Sequence, residues 1–290
     1  GSLKALPGEK LQIELRVRNI SQAPVTITTS VRDFVIDQDG ETPIEIADNV
    51  SNRWSLASWI TLAPTEQTIA ANATVVLTAL IEIPQDALPG GHYAMILHEP
   101  QSQSDQAVTA GGSQTGVNQR VGTLVYVTVD GAINEEAYIR NFSFPKFMEY
   151  GPVPFSFTVE NNSDIHITPQ ISVDIYNMFN QKVDSIPVEK KNVFPLMNRD
   201  FDGQWDEIWG FGRYRAQLTM SYGSNGSLVV ANTHFWLLPV TIIIAVVSIL
   251  FILMLAIFAI KRHLSHKRKL DQQKIADLEA EIERMQSKTE

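Results

Sequence analysis

Residues 235–260, FWLLPVTIIIAVVSILFILMLAIFAI, carry no charged side chain and little polar character beyond Thr241 and Ser248. As a helix rising about 1.5 Å per residue, such a run crosses the roughly 30 Å hydrocarbon core of a bilayer, and a soluble domain of this size has no use for a helix apolar on every face. The chain is expected to span a membrane once, at 236–260. Trp236 supplies an interfacial ring at one end. Lys261 and Arg262 open a basic stretch at the other, continued by Lys267, Arg268 and Lys269. Cations beside a span favour the cytoplasmic face, which predicts a plasma-membrane protein with its N-terminal region outside and the tail 261–290 inside. This topology needs a signal segment. The chain opens on Gly-Ser-Leu-Lys without one, so a processed, truncated or replaced N-terminus is expected.

The region before the span is long enough for two domains of roughly 100 to 130 residues, each with its own core. The tail holds eight Lys/Arg and six Asp/Glu, leaving fifteen and twenty-six before it. That acidic balance argues against nucleic acid or anionic lipid as the ectodomain's ligand. With no cysteine in the chain, disulfides, thiolate metal sites and cysteine nucleophiles are excluded.

Strand periodicity dominates what remains. In KLQIELRVRN (10–19), Leu11, Ile13, Leu15 and Val17 alternate with Gln12, Glu14, Arg16 and Arg18, the pattern of a half-buried strand. Turn residues at 19–24 followed by a β-rich run at 25–36 predict a hairpin. Further strands are expected at 44–46, after Trp59, at 73–83, at 92–98 and at 121–129. Residues 101–119, rich in Gln, Ser and Gly, are expected to form a long connection inside the first unit. Seven more strands, at 137–144, 153–160, 170–179, 182–188, 192–201, 212–222 and 227–236, follow a boundary at 130–136. The predicted architecture is mainly β: two immunoglobulin-like β-sandwich domains, 1–130 and 131–235, then a single transmembrane α-helix and a short cytoplasmic helix. In that last helix Ile275, Leu278, Ile282 and Met285 make a two-heptad seam, a weak dimer contact at most and otherwise one face of a solvated helix.

No constellation points to catalysis, a cofactor or a metal. Asp37, Asp39 and Glu41 surround Gly40 in a tight turn, too few oxygens for Ca²⁺. His92 and His98 stand about 20 Å apart along a strand and are expected at the surface or rim. No Gly-x-Ser-x-Gly elbow or phosphate loop occurs. Asp202 and Asp206 beside Trp205 and Trp209 are the candidate ligand contacts, since rings with carboxylates bind sugars; the alternative for such a Trp is a core or membrane-proximal place. Leu238-Pro239-Val240-Thr241 imitates a sortase signal but lacks the glycine. Asn19, Asn72, Asn141, Asn161 and Asn225 head Asn-x-Ser/Thr sequons.

Leu6-Pro7-Gly8-Glu9 before a strand ending Val17-Arg18-Asn19, then Trp59-Ile60-Thr61-Leu62 and the run Ile83-Pro84-Gln85-Asp86-Ala87-Leu88-Pro89-Gly90-Gly91, resemble the first domain of the WxL-interacting proteins of Gram-positive bacteria. Val159-Glu160-Asn161, Asn192-Val193-Phe194-Pro195 and Phe211-Gly212-Arg213-Tyr214 resemble their membrane-proximal domain. The resemblance implies peptidoglycan as ligand of the first domain and a WxL-type surface protein as partner of the second. The function expected from sequence is a non-enzymatic, membrane-anchored cell-surface scaffold that holds a surface protein or cell-wall glycan by strand-edge addition or a sheet face. The alternatives are a membrane signalling or assembly subunit pairing through its tail and, behind it, a surface glycan-acting enzyme.

Overall fold

The computed structural model describes residues 2–47, 52–101 and 120–286; past Leu264 it describes the side chains of Lys274, Ile275 and Leu278 alone. All but Gln101 of the expected connection at 101–119, and the side chains of Ile282 and Met285, lie outside the described residues. The chain is mainly β and ends in one long helix.

Among the described residues nine strands come first: β1 (Leu3–Ala5), β2 (Lys10–Arg18), β3 (Val25–Ile36), β4 (Pro43–Glu45), β5 (Ile60–Ala63), β6 (Glu66–Ile69), β7 (Thr74–Glu82), β8 (Gly90–Pro100) and β9 (Val121–Val129). One sheet has the order β1-β9-β8-β3, with β4 and β6 both on β3; the other has the order β2-β7-β5. Their facing side chains, among them Ile81, Ile96, Val125 and Val127, form one buried cluster with Leu56 of the segment before β5. Eight strands follow: β10 (Ala137–Ser143), β11 (Phe147–Met148), β12 (Val153–Asn161), β13 (Gln170–Tyr176), β14 (Lys182–Pro187), β15 (Met197–Trp205), β16 (Gly212–Tyr222) and β17 (Ser227–Leu237). They pair as β10-β12-β15 and β11-β17-β16-β13-β14 around an aromatic core. Within it Phe157 stacks on Phe201 at 5.2 Å and Phe144 on Phe235 at 4.6 Å between centroids.

The expected hairpin at the start does not form. β2 pairs with β7 and β3 with β8, so the chain between them arches from one sheet to the other. Asn19 holds the arch. Its buried Nδ2 donates to the carbonyls of Ala23, Ile69 and Ala70, and its Oδ1 accepts from the Ser21 backbone and hydroxyl. Asn161 does the same work in the second half: Nδ2 donates to Ile165 and Val193, and Oδ1 accepts from the Ser163 backbone. Both arches read Val-x-Asn-x-Ser, and both Asn side chains are too engaged and buried to carry a glycan.

The two sheet pairs meet through rings. Tyr93, Tyr126 and Phe34 of the first pack edge-on against Phe194 of the second at 5.2 to 5.8 Å. Polar contacts frame them: Gly91 N–H donates to the Asp164 carbonyl at 2.9 Å, Arg53 pairs with Asp164 at 2.7 Å, and Glu41 takes Arg199 at 2.7 Å. The Asp37–Glu41 turn thus spends its acids on protein partners, since Asp39 accepts from Thr42 and from the Glu41 and Thr42 backbone.

The last strand continues through Trp236 and Leu237, which pair with Phe147 and Met148, so the chain is still β where the sequence suggested membrane. Helix α1 runs Val240–Gln286 without interruption, because the sequence offers no Gly or Pro to break it. Its segment Val240–Leu264 is long and apolar enough to cross a membrane, and Lys261 and Arg262 lie on the same continuous helix.

Candidate functional site

A strand edge left without a partner offers a row of backbone N–H and C=O groups to another chain, and proteins guard such edges with charge or cover. Several edges here are guarded. β2 presents Lys10, Glu14, Arg16 and Arg18, β14 presents Lys182 and Asp184, and β15 presents Asp200 and Asp202. The edge of β17 is uncharged over Ser227–Phe235 except for His234, but β10 lies alongside it.

β9 differs. Along one side it pairs with β8 over its full length; on the other, β1 covers it only at Val127, Thr128 and Val129. Residues 121–126, Val-Gly-Thr-Leu-Val-Tyr, have no strand partner on that side among the described residues, and none is charged. Val121 and Leu124 are exposed.

Beside this edge runs a groove of about 580 Å³, floored by Met95, Leu97 and Leu124 and walled by Ile44 of β4. Gly122 stands opposite Leu97, where a side chain would crowd the floor at 3.3 Å. Arg120 closes one end: it reaches Glu45 at 3.1 Å and Glu99 at 2.8 Å, tying the start of β9 to β4 and β8. An open backbone edge next to an apolar groove can take an extended segment whose alternate side chains drop into the groove.

The residues singled out from sequence do not gather there, nor with each other. Trp205 is buried: its Nε1 donates to Asp184 at 2.9 Å and its ring packs on Tyr214 and Phe235. Asp202, on the opposite face of the same strand, lines a shallow groove with Phe144, Pro145 and Phe155. Asp206 accepts from the Gln204 side chain at 2.7 Å, and Trp209 lies half-exposed near the start of α1.

His92 and His98, expected at the rim, are buried. His98 Nδ1 lies 3.0 Å from the Thr29 hydroxyl, and His92 reaches the carbonyls of Ser55 and Leu88. Burial holds His98 below the usual imidazole range. His166, which has no recognisable partner in the sequence, sits at the junction of the sheet pairs against Tyr93; burial lowers it to about 4. Among the described residues no group of His, Asp and Glu has the grouping of a metal site.

No family model and no curated protein matches the chain. Solved structures resemble it at low identity. The class 5 fimbriae chaperone CfaA is 12% identical over 82% of this chain and 96% of its own, with a TM-score of 0.42. The Pseudomonas aeruginosa CupB2 chaperone is 13% identical over 81% and 97%, at 0.36. A chaperone–tip subunit complex of the archaic Csu pili of Acinetobacter baumannii is 11% identical over 80% and 94%, at 0.37.

These findings correct the resemblance to the WxL-interacting proteins: the structures found alike are fimbrial chaperones, and no family model supports the sequence motifs. Within those motifs Asn19 and Asn161 are arch positions that join one sheet to the other. With the family go the expected partners, a WxL-type surface protein and peptidoglycan, and the cell-wall scaffold built on them. Tail pairing as the basis of a signalling or assembly subunit gains nothing from the comparisons either, and two of its four seam side chains lie outside the described residues.

Proposed function

We propose that this chain is a polypeptide-binding protein that holds an extended segment of a partner protein against the open edge of β9, without catalysis. The observation that carries the reading is the uncharged edge at 121–126 beside the Met95, Leu97 and Leu124 groove. Backbone hydrogen bonds would supply affinity and the groove would select the side chains. A polypeptide is also the ligand class of the fimbrial chaperone complexes, one with a pilin and one with a tip subunit; the reading rests on the edge and not on them. In the same reading the two sheet pairs are two immunoglobulin-like domains meeting near Asp130. Helix α1 crosses the plasma membrane, with the basic residues from Lys261 on the cytoplasmic side.

Site-directed photocrosslinking in the cells of origin tests this. A photoreactive residue replacing Thr123 should join one protein at one segment, whereas the same group at Arg16 on the charged β2 edge should not. Equal, scattered crosslinking from both positions would contradict the proposal.

A further inference from the structure

The second sheet pair ends, beside the helix, in a surface that a protein standing clear of the membrane would not keep. Phe147, Tyr150, Phe179, Trp209 and Phe211 all lie there, from half to three-quarters exposed. They come from separate stretches brought to one end. β11 pairs with the last residues of β17; the loop before β12 is tied to the 206–211 loop by the Gly151 N–H, which donates to the Ile208 carbonyl at 2.9 Å. The 177–181 loop joins them where Met178 packs over Gly212. Scattered exposed hydrophobics are ordinary, but Phe147, Tyr150 and Trp209 line one groove, and large rings gathered in this way mark a contact surface.

We propose that this end is a foot seated in the bilayer interface, its rings among the lipid headgroups at the level where α1 enters the hydrocarbon. From Val240 to the residue before Lys261 the helix is uncharged and rises about 31 Å, the thickness of a hydrocarbon core, which fixes Val240 near its boundary. Phe147, Tyr150 and Trp209 share a groove with Thr241 and Ile242 in the first turn of that helix. The rings therefore stand at the depth where aromatic residues concentrate in membrane proteins.

Two further contacts fit that depth. Only Leu238 and Pro239 separate β17 from α1, and the Leu238 N–H donates to the Met148 carbonyl at 3.0 Å, so no linker lifts the foot away. Glu149 accepts from the Thr241 hydroxyl at 2.6 Å. The region before the span is acidic, so attraction to anionic headgroups is not the source of the contact. The rings are, and uncharged zwitterionic lipid suffices.

The chain has no cysteine, which makes labelling clean. Full-length Phe179→Cys and Phe211→Cys, each carrying a nitroxide and reconstituted in phosphatidylcholine vesicles, should show an oxygen-to-nickel accessibility ratio several-fold above that of Asn225→Cys, in the turn at the far end of β17. Equal ratios at the three positions overturn the proposal. Without labels, phosphatidylcholine brominated near the headgroup should quench the wild-type tryptophan emission more than that of Trp209→Phe. Equal quenching also overturns it.

Discussion

The Tyr93 hydroxyl accepts the backbone N–H of His166 at 2.7 Å and lies 3.3 Å from the ring Nδ1 of the same residue, joining a strand of the first sheet pair to a loop of the second. Tyr93 is buried and its phenol is pushed up by burial, so the hydroxyl stays protonated and fixed in the contact. His166 has its ordinary value near 6.5 when unfolded and about 4 when folded, because burial disfavours the charged ring. Below pH 6.5 the unfolded chain takes up the proton that the folded chain refuses. Stability from this site is thus present above pH 6.5 and drains away as pH falls through 4, by at most about 3 kcal/mol. In urea unfolding of the full chain, the stability difference between wild type and His166→Gln should shrink between pH 6.5 and 4. A pH-independent difference would contradict the assignment.

Gly90 meets the same junction from the other side. Its φ is +121°, and a Cβ there would stand 2.8 Å from the Asp164 backbone carbonyl. Gly90→Ala should therefore cost about 1–3 kcal/mol through backbone strain and a displaced Asp164 loop. Urea midpoints measure the loss, and protease sensitivity near residues 162–168 should rise with it.

The paired arches give a comparison inside one molecule. Asn19→Ala and Asn161→Ala each strip buried carbonyls of their donor, and each should cost about 2–3 kcal/mol. The Asn19 side chain makes five hydrogen bonds and that of Asn161 three, so the loss at Asn19 is expected to equal or exceed that at Asn161. A loss below about 0.5 kcal/mol at either site would show that the arch does not depend on its Asn.

How much of this was legible in sequence follows from what alternation can report. The run expected at 121–129 coincides with β9, whose second half alternates buried Val125, Val127 and Val129 with half-buried Tyr126 and Thr128. The unbroken apolar run gave the helix. Alternation cannot say which strand a strand pairs with, so Asn19 and the turn after it looked like a hairpin when they close an arch between layers. Strands of two to four residues, β1, β6 and β11, are too short to show a period. Trp205 and the buried His92 and His98 mark the other limit: whether a polar or aromatic side chain on a strand faces core or solvent depends on partners distant in the chain, Asp184 and Thr29 among them.

The edge of β9 should respond to charge in a way its fold does not. Val121 is exposed, so Val121→Lys should change stability by less than about 0.5 kcal/mol. It should nevertheless suppress crosslinking from position 123, because a charge on an open edge disfavours an incoming strand. Loss of crosslinking together with unfolding would point to the fold instead.

Backbone hydrogen exchange tests the central claim most directly. The full chain is followed with and without a synthetic peptide matching the segment captured at position 123. Strand addition predicts slowed exchange confined to residues 121–126 and the facing peptide amides, with β2 unchanged. Protection absent from 121–126, or spread equally over the β2 edge, would contradict it.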